Sequence, residues 1–373
     1  MMMEFDEMAY EFWLAGITEI SASRKKKIRE VFGSGENLYQ NLYNIEETDQ
    51  KNKKNISCEE IQILKIKSKN TDIIREYENF IRDGYCFVPF FSENYPERLK
   101  VHKGMPYALY VKGALPDDHK PAVAIIGARN CTCYGEKKAL EYAEALACHD
   151  VQIISGMARG IDGLSQRAAI QAGGTSFGIL GSGVDVCYPR ENKGLYKDLQ
   201  VHGGVISEFK NGSQPLREHF PARNRIISAL SDVVIVIEAK ARSGTLITCD
   251  FALEQGKDVY ALPGPADSSL SLGCHELIRQ GAGILISPES LIEDMHIKYV
   301  KNEQKNNKVH TNNKKVLESS EVLVYAFVGL SPKNLNQIIE ETGENAEMVM
   351  RNLFSLEMKG YIKELAKNNY VRI

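Results

Sequence analysis

Apolar positions along the 373-residue chain follow two rhythms. Between Ala122 and Gly183 three short apolar runs, Ala122–Ile126, Val151–Ile154 and Ser176–Leu180, each stop at glycine and small polar residues. A segment with helical spacing follows each. Unbroken apolar runs alternating with helical periodicity mark strands buried on both faces of a parallel α/β sheet. The alternation continues through a helix over Glu191–Val201, strand Gly204–Ser207, a helix in FPARNRIISALS, strand Asp232–Glu238, helix Gly244–Gln255, strand Asp258–Leu262, helix Cys274–Gln280 and strand Gly283–Ile286. Upstream, CFVPFF from Cys86 and the extended run Tyr107–Lys112 add to the same sheet. One mostly parallel sheet with helices on both faces accounts for this whole stretch.

The second rhythm is helical throughout. Residues Glu4 to about Ile81 read as helices around a polar loop, EETDQKNKKN, with Ser21 or Ser23 as a helix cap. Near the other end, Ser319–Val328, Leu335–Thr342 and Ala346–Lys359 have helical spacing, and YIKELAKNNYVRI forms a hairpin about an Asn-Asn turn. Three helices and a hairpin predict a winged helix. Between them, Lys298–Lys315 is rich in Lys and Asn and poor in apolar residues, the composition of a linker. The expected division is a helical domain at 1–82, the α/β domain at 83–297, a linker at 298–316 and the winged helix at 317–373.

Composition narrows the partners only slightly. A net charge of -3 excludes a generally polycationic binder but not local basic patches. Eight cysteines without a CxxC pair, no leader pattern and no membrane-length apolar run point to reduced thiols in a cytoplasmic protein without a membrane role. Cys131 and Cys133 lack companions for a metal, so none is expected. The run Arg24-Lys25-Lys26-Lys27 reads as a solvated face in preference to a nucleic-acid contact, since a helix-hairpin-helix would place a Gly-x-Gly turn where Thr18-Glu19-Ile20 stands. Around the third helix of the winged module Glu344, Glu347 and Glu357 outnumber Arg351 and Lys359, which places protein contact or a structural role ahead of DNA binding.

Ligands of open α/β sheets bind beyond the carboxyl ends of the strands, and there this chain concentrates candidate chemistry. GxGxxG and GxxxxGK are both absent, so no nucleotide cofactor is expected. The first loop instead carries Gly127, Arg129, Thr132 and Tyr134, and the second Ser155, Gly156 and Arg159, with Asp162 expected as a helix cap. The third carries Gly181 and Gly183, leading to Tyr188 and Arg190. Arg223 and Arg225 open a later helix, and Ser243, Gly244 and Thr245 another. Arginine forks, hydroxyls and glycine-exposed amides grip phosphate, and a tyrosine can stack on a base. No catalytic pair emerges.

The ordered series GARNCTCYG, SGMARGID, GSGVDVCYPREN, SEF, FPARNRII, EAKARSGTLIT, PG and GCHELIRQGA closely resembles the DprA (Smf) family of DNA-processing proteins over about Ser92–Asp294. The resemblance implies an extended Rossmann-like core flanked by a helical N-terminal domain of the SAM or helix-hairpin-helix kind and a C-terminal winged helix. It also implies a non-enzymatic mediator that binds and protects single-stranded DNA and loads the recombinase RecA in natural transformation. The implied partners are single-stranded DNA, RecA, a second copy in a homodimer, and single-strand-binding protein. The family's positive pocket falls on Arg129, Arg159, Arg190, Arg223 and Arg225, with Ser155–Gly156, Gly181–Gly183 and Ser243–Thr245 around them. Gln166, His275 and Thr132 depart from the family's usual His, Asn and Ser. Nucleotide N-glycosidases of the LOG group resemble the same plan, but Thr248 stands where their glutamate would be. A chromosomal regulator acting through the winged helix is a third reading.

Overall fold

The computed structural model describes residues 2–44, 56–69, 72–295, 319–329 and 332–372; the polar loop read over Glu46–Asn55 and the linker read over 298–316 lie outside the described residues. Contacts divide the chain into a large unit, comprising most residues up to Ile297, and a small C-terminal unit.

A nine-stranded sheet organises the large unit, in the order β1-β2-β6-β5-β4-β3-β7-β8-β9. The strands are β1 (Cys86–Pro89), β2 (Ala108–Gly113), β3 (Ala122–Ile126), β4 (Gln152–Ser155), β5 (Ser176–Ile179), β6 (Gly203–Ser207), β7 (Val233–Val236), β8 (Asp258–Ala261) and β9 (Gly283–Ile284). Those from β6 across to β9 are parallel, whereas β1 and β2 pair antiparallel at one edge. Every residue of β3, β4, β5 and β7 is buried. Cover on both faces is why these strands are continuous apolar runs rather than alternating ones.

Alternate residues of β2 enter separate cores, Leu109 and Val111 on one side, Ala108 and Tyr110 on the other, as the period of a strand requires. The first core takes Ile226, Cys249, Ala252 and Leu277 from helices His219–Ala229, Gly244–Glu254 and Leu272–Arg279. The second takes Leu195 and Leu199 of helix Lys193–Val201 together with Phe12, Trp13, Ile28, Leu64 and Phe80 of the N-terminal helices. The N-terminal segment therefore shares its core with the sheet. A buried carboxylate reinforces the junction: Glu11 accepts from Arg29 Nε at 2.8 Å, from Gly35 N at 2.9 Å and from the Tyr107 hydroxyl.

Ser21 caps helix Ala22–Phe32, and the basic run at its start is not the solvated face expected of it. Arg24 pairs with Glu60 at 2.6 Å, Lys25 is buried with its ammonium donating to Ala15 O at 2.6 Å, and Lys26 donates to Met105 O at 3.3 Å. Of the four cations, Lys27 is exposed and the other three hold neighbouring segments in place.

In the small unit, helices Ser319–Phe327, Leu335–Thr342 and Ala346–Met358 pack Val324, Ile338, Val349, Leu353 and Leu356 against Ile362. Strands β10 (Lys333–Asn334), β11 (Ile362–Ala366) and β12 (Asn369–Arg372) form an antiparallel sheet in the order β10-β12-β11. This is the winged-helix arrangement. Asn334 and Asn345 cap the second and third helices, and left-handed Gly343 (φ 67°) ends the second.

Candidate functional site

From β3 the chain steps outward through β4, β5 and β6, then returns to lay β7 on the other side of β3 and continues to β8. Connections leaving the adjacent strands β3 and β7 thus diverge, and a crevice opens beyond their carboxyl ends. A cleft of about 480 Å³ lies there, lined among others by Gly127, Arg129, Asn130, Phe220, Lys240 and Gly244. A narrower pocket adjoins it, bounded by Gly156, Arg159, Gly181, Tyr188 and Pro189, and the two share Arg129, Ala158, Phe220 and Arg223. Backbone approach shapes this wall. Left-handed Gly160 (φ 72°) sits so close to the first loop that a Cβ would stand 2.3 Å from Ala128 O.

Phe220 is the centre of the shared wall. Its ring centroid lies 5.7 Å from the Arg129 guanidinium carbon, 5.9 Å from that of Arg223 and 5.6 Å from the Tyr188 ring. Arg129 makes no close ion pair among the described residues, although its charge acts on Asp162, and Arg159 makes only a loose, exposed pair with Glu191 at 3.7 Å. Arg223 is different in kind. It is buried, donates to Ile179 O, and lies so near Gly156 that a Cβ there would meet its Nη1 at 2.2 Å. Burial pulls its guanidinium down to about 10, countered by the charge of Asp162, so it remains a cation at neutral pH. The same burial pushes the Asp162 carboxyl up, opposed chiefly by Arg223.

Asp162 was expected as a helix cap, but Gly160 occupies that position in helix Ile161–Gln171, and Asp162 accepts the Gly156 amide at 3.1 Å instead. Two further side chains fix the second loop. Gln166 accepts from Met157 N at 3.1 Å and donates to Phe177 O at 3.0 Å, while Asn192 donates to Met157 O at 3.0 Å and Ala158 O at 3.1 Å. Met157 is held at a left-handed φ of 55°, a strained value for a side-chain-bearing residue. The interior position of Gln166 makes it a support of the loop, not a group in the cleft.

Of the residues expected at the site, the structure gathers Gly127, Arg129, Gly156, Arg159, Gly181, Tyr188, Arg223, Ser243, Gly244 and Thr245 around the two hollows. Ser243 caps helix Gly244–Glu254, accepting from Thr245 N at 3.2 Å, and nothing lies within 4 Å of where a Gly244 Cβ would stand. Six others lie outside their lining. Ser155 is buried and donates to Ile125 O at 2.7 Å, which commits its hydroxyl to the sheet. Arg225 is drawn away by Glu208, and Gly183 sits in a turn where a Cβ would meet Asp185 and Lys210 O. Arg190 begins a 3-10 turn on the surface, and Thr132 accepts from Gly135 N at 3.1 Å as helix Cys133–Cys148 starts, beside Tyr134. Phe220, Asn130 and Lys240 line the hollows in addition to the residues expected there. An aromatic three residues before Arg223 on one helix was the signal for Phe220, because that spacing places both on one face.

Residues 86–296 match the model of the family described as DNA recombination-mediator protein A. The chain is 38% identical over 294 residues to Protein Smf of Escherichia coli (strain K12), covering 78% of each. Among solved structures, DNA processing protein A (DprA) from Streptococcus pneumoniae superposes with a TM-score of 0.66 at 33% identity, covering 78% of this chain and 98% of that one. A structure reporting the single-stranded DNA binding mode of DNA processing protein A from Helicobacter pylori superposes with a TM-score of 0.52 at 29% identity, covering 57% and 96%.

Proposed function

The chain belongs to the DprA/Smf family of DNA recombination mediators, and from that premise we propose that the cleft beyond β3 and β7 binds single-stranded DNA through its phosphates and one stacked base. The observation that carries this reading is the half-buried Phe220 ring with two guanidinium groups and the Tyr188 ring beside it. A single strand offers charge and an exposed π-face within one nucleotide. A duplex buries its base faces, so it meets the arginines without the ring. Gripped by its phosphates and one base face, a strand is held with an affinity that falls with salt and depends little on sequence.

The wider role follows the family: protection of incoming strands and delivery to RecA in the cytoplasm during natural transformation, without catalysis, and with single-strand-binding protein as a further partner. Two copies on one strand gain by avidity. The outer edge of β9 favours self-association, because Ile284 and Ile286 are exposed there. The glycosidase alternative needs a carboxylate where buried Thr248 stands. The test is binding of fluorescent oligo-dT against duplex of equal length, with a nucleoside monophosphate hydrolysis assay beside it. Preference for the single strand, lost in Phe220→Ala, supports the reading. Equal binding of both forms by both proteins, or hydrolysis, refutes it.

A further inference from the structure

The third helix of the small unit, Ala346–Met358, buries Val349, Leu353 and Leu356 and leaves another apolar stripe in solvent. Met350, Phe354 and Met358 are 48%, 67% and 70% exposed, and their i, i+4, i+8 spacing lines them along one side of the helix. Leu365 of β11 is exposed as well, at 46%. A row of large apolar side chains at this spacing is unlike a groove-reading helix, whose surface residues meet phosphates and base edges. Of the module's cations, Lys359 pairs with Glu321, Lys333 with Glu341 at 2.7 Å, and Arg372 donates to Tyr325 O, whereas Arg351, Lys363 and Lys367 are exposed.

Charge at the start of the stripe selects the occupant. Glu340, Glu344 and Glu347 lie within eight residues of one another, with no basic residue from Glu340 to Glu347. We propose that this helix docks an amphipathic helix of another protein, one with apolar residues at i, i+4 spacing and lysine or arginine clustered at the end that meets Glu344 and Glu347. Methionine suits the task because its unbranched side chain repacks around differently shaped anchors. Such docking is the helix-in-groove mode of recognition, with Phe354 as the central anchor. The proposal is independent of the single-strand site.

The full chain is titrated with a fluorescent 18-residue helical peptide carrying leucines at i, i+4 and i+8 and four lysines in its last turn, and with a twin bearing glutamates there. The lysine peptide binds saturably, at least tenfold more tightly than its twin; Phe354→Glu weakens it tenfold or more, Met358→Lys also weakens it, and Arg129→Ala leaves it unchanged. Circular dichroism establishes that the variants remain folded. Absence of binding, or binding indifferent to Phe354→Glu and to peptide charge, overturns the proposal. So does self-association abolished by Phe354→Glu, which makes a second copy the occupant, or loss of duplex DNA binding in that variant, which makes it a groove reader.

Discussion

Helix Ala22–Phe32 and the rim of the large sheet both concentrate cations, and they use them differently. In the helix, Arg24, Lys25 and Lys26 meet a carboxylate or a backbone carbonyl of another segment. At the rim, Arg129 and Arg159 stand at an open cleft, one against an aromatic ring and the other in a loose surface pair. What separates them is the supply of partners. Tight packing of helices brings acceptors to Arg24, Lys25 and Lys26, whereas the diverging connections of β3 and β7 leave fewer at the rim. Positive charge is available to a ligand where the fold fails to satisfy it.

Removing a structural cation should have the largest effect on stability. Arg225→Ala strands the largely buried Glu208, whose carboxyl burial already pushes up. It should cost about 3 kcal/mol of stability in denaturant unfolding, while single-strand affinity of the folded fraction changes less than threefold. Lys25 gives a pH signature of the same kind. Burial pulls its ammonium down from 10.5 to about 8, so between those values the unfolded chain holds the proton that the folded chain has released. Stability therefore rises with pH from 8 to 10.5, by at most about 3 kcal/mol, and Lys25→Met flattens that rise in melts at pH 8 and pH 10.

Rim substitutions should show the converse, with binding lost and stability kept. Phe220→Ala should cost about 1–3 kcal/mol of single-strand affinity, read by fluorescence anisotropy. Arg129→Ala should lower the slope of log affinity against log salt by about 0.7, the share of one phosphate contact on a single strand. Smallest of all, Lys27→Ala should change single-strand binding less than twofold, although Lys27 is an exposed cation in a basic run.

How much of this was legible beforehand follows from geometry. Strand β3 is found at its expected ends, Ala122–Ile126, because a run buried on both faces admits no polar residue and stops abruptly at Gly127. The gathering of loops on one rim followed from the parallel order alone. Arg225 lies outside the hollows for a reason the sequence contains: two residues along a helix turn about 200°, so Arg223 and Arg225 cannot face one cleft. Phe220, three residues before Arg223, can. Ser155 and the basic run were illegible for another reason. Their fates depend on Ile125 O, Glu60 and Ala15 O, acceptors brought from 10 to 36 residues away by the fold.

Whether this cleft holds the single strand is read from oligo-dT and equal-length duplex binding by the intact chain and by Arg129→Ala combined with Phe220→Ala, which spares the supporting Arg223. The intact chain should show a strong single-strand preference that falls by about two orders of magnitude in the double variant, with the unfolding midpoint unchanged. Undiminished single-strand binding by a folded double variant would contradict that expectation and move the DNA site away from this cleft.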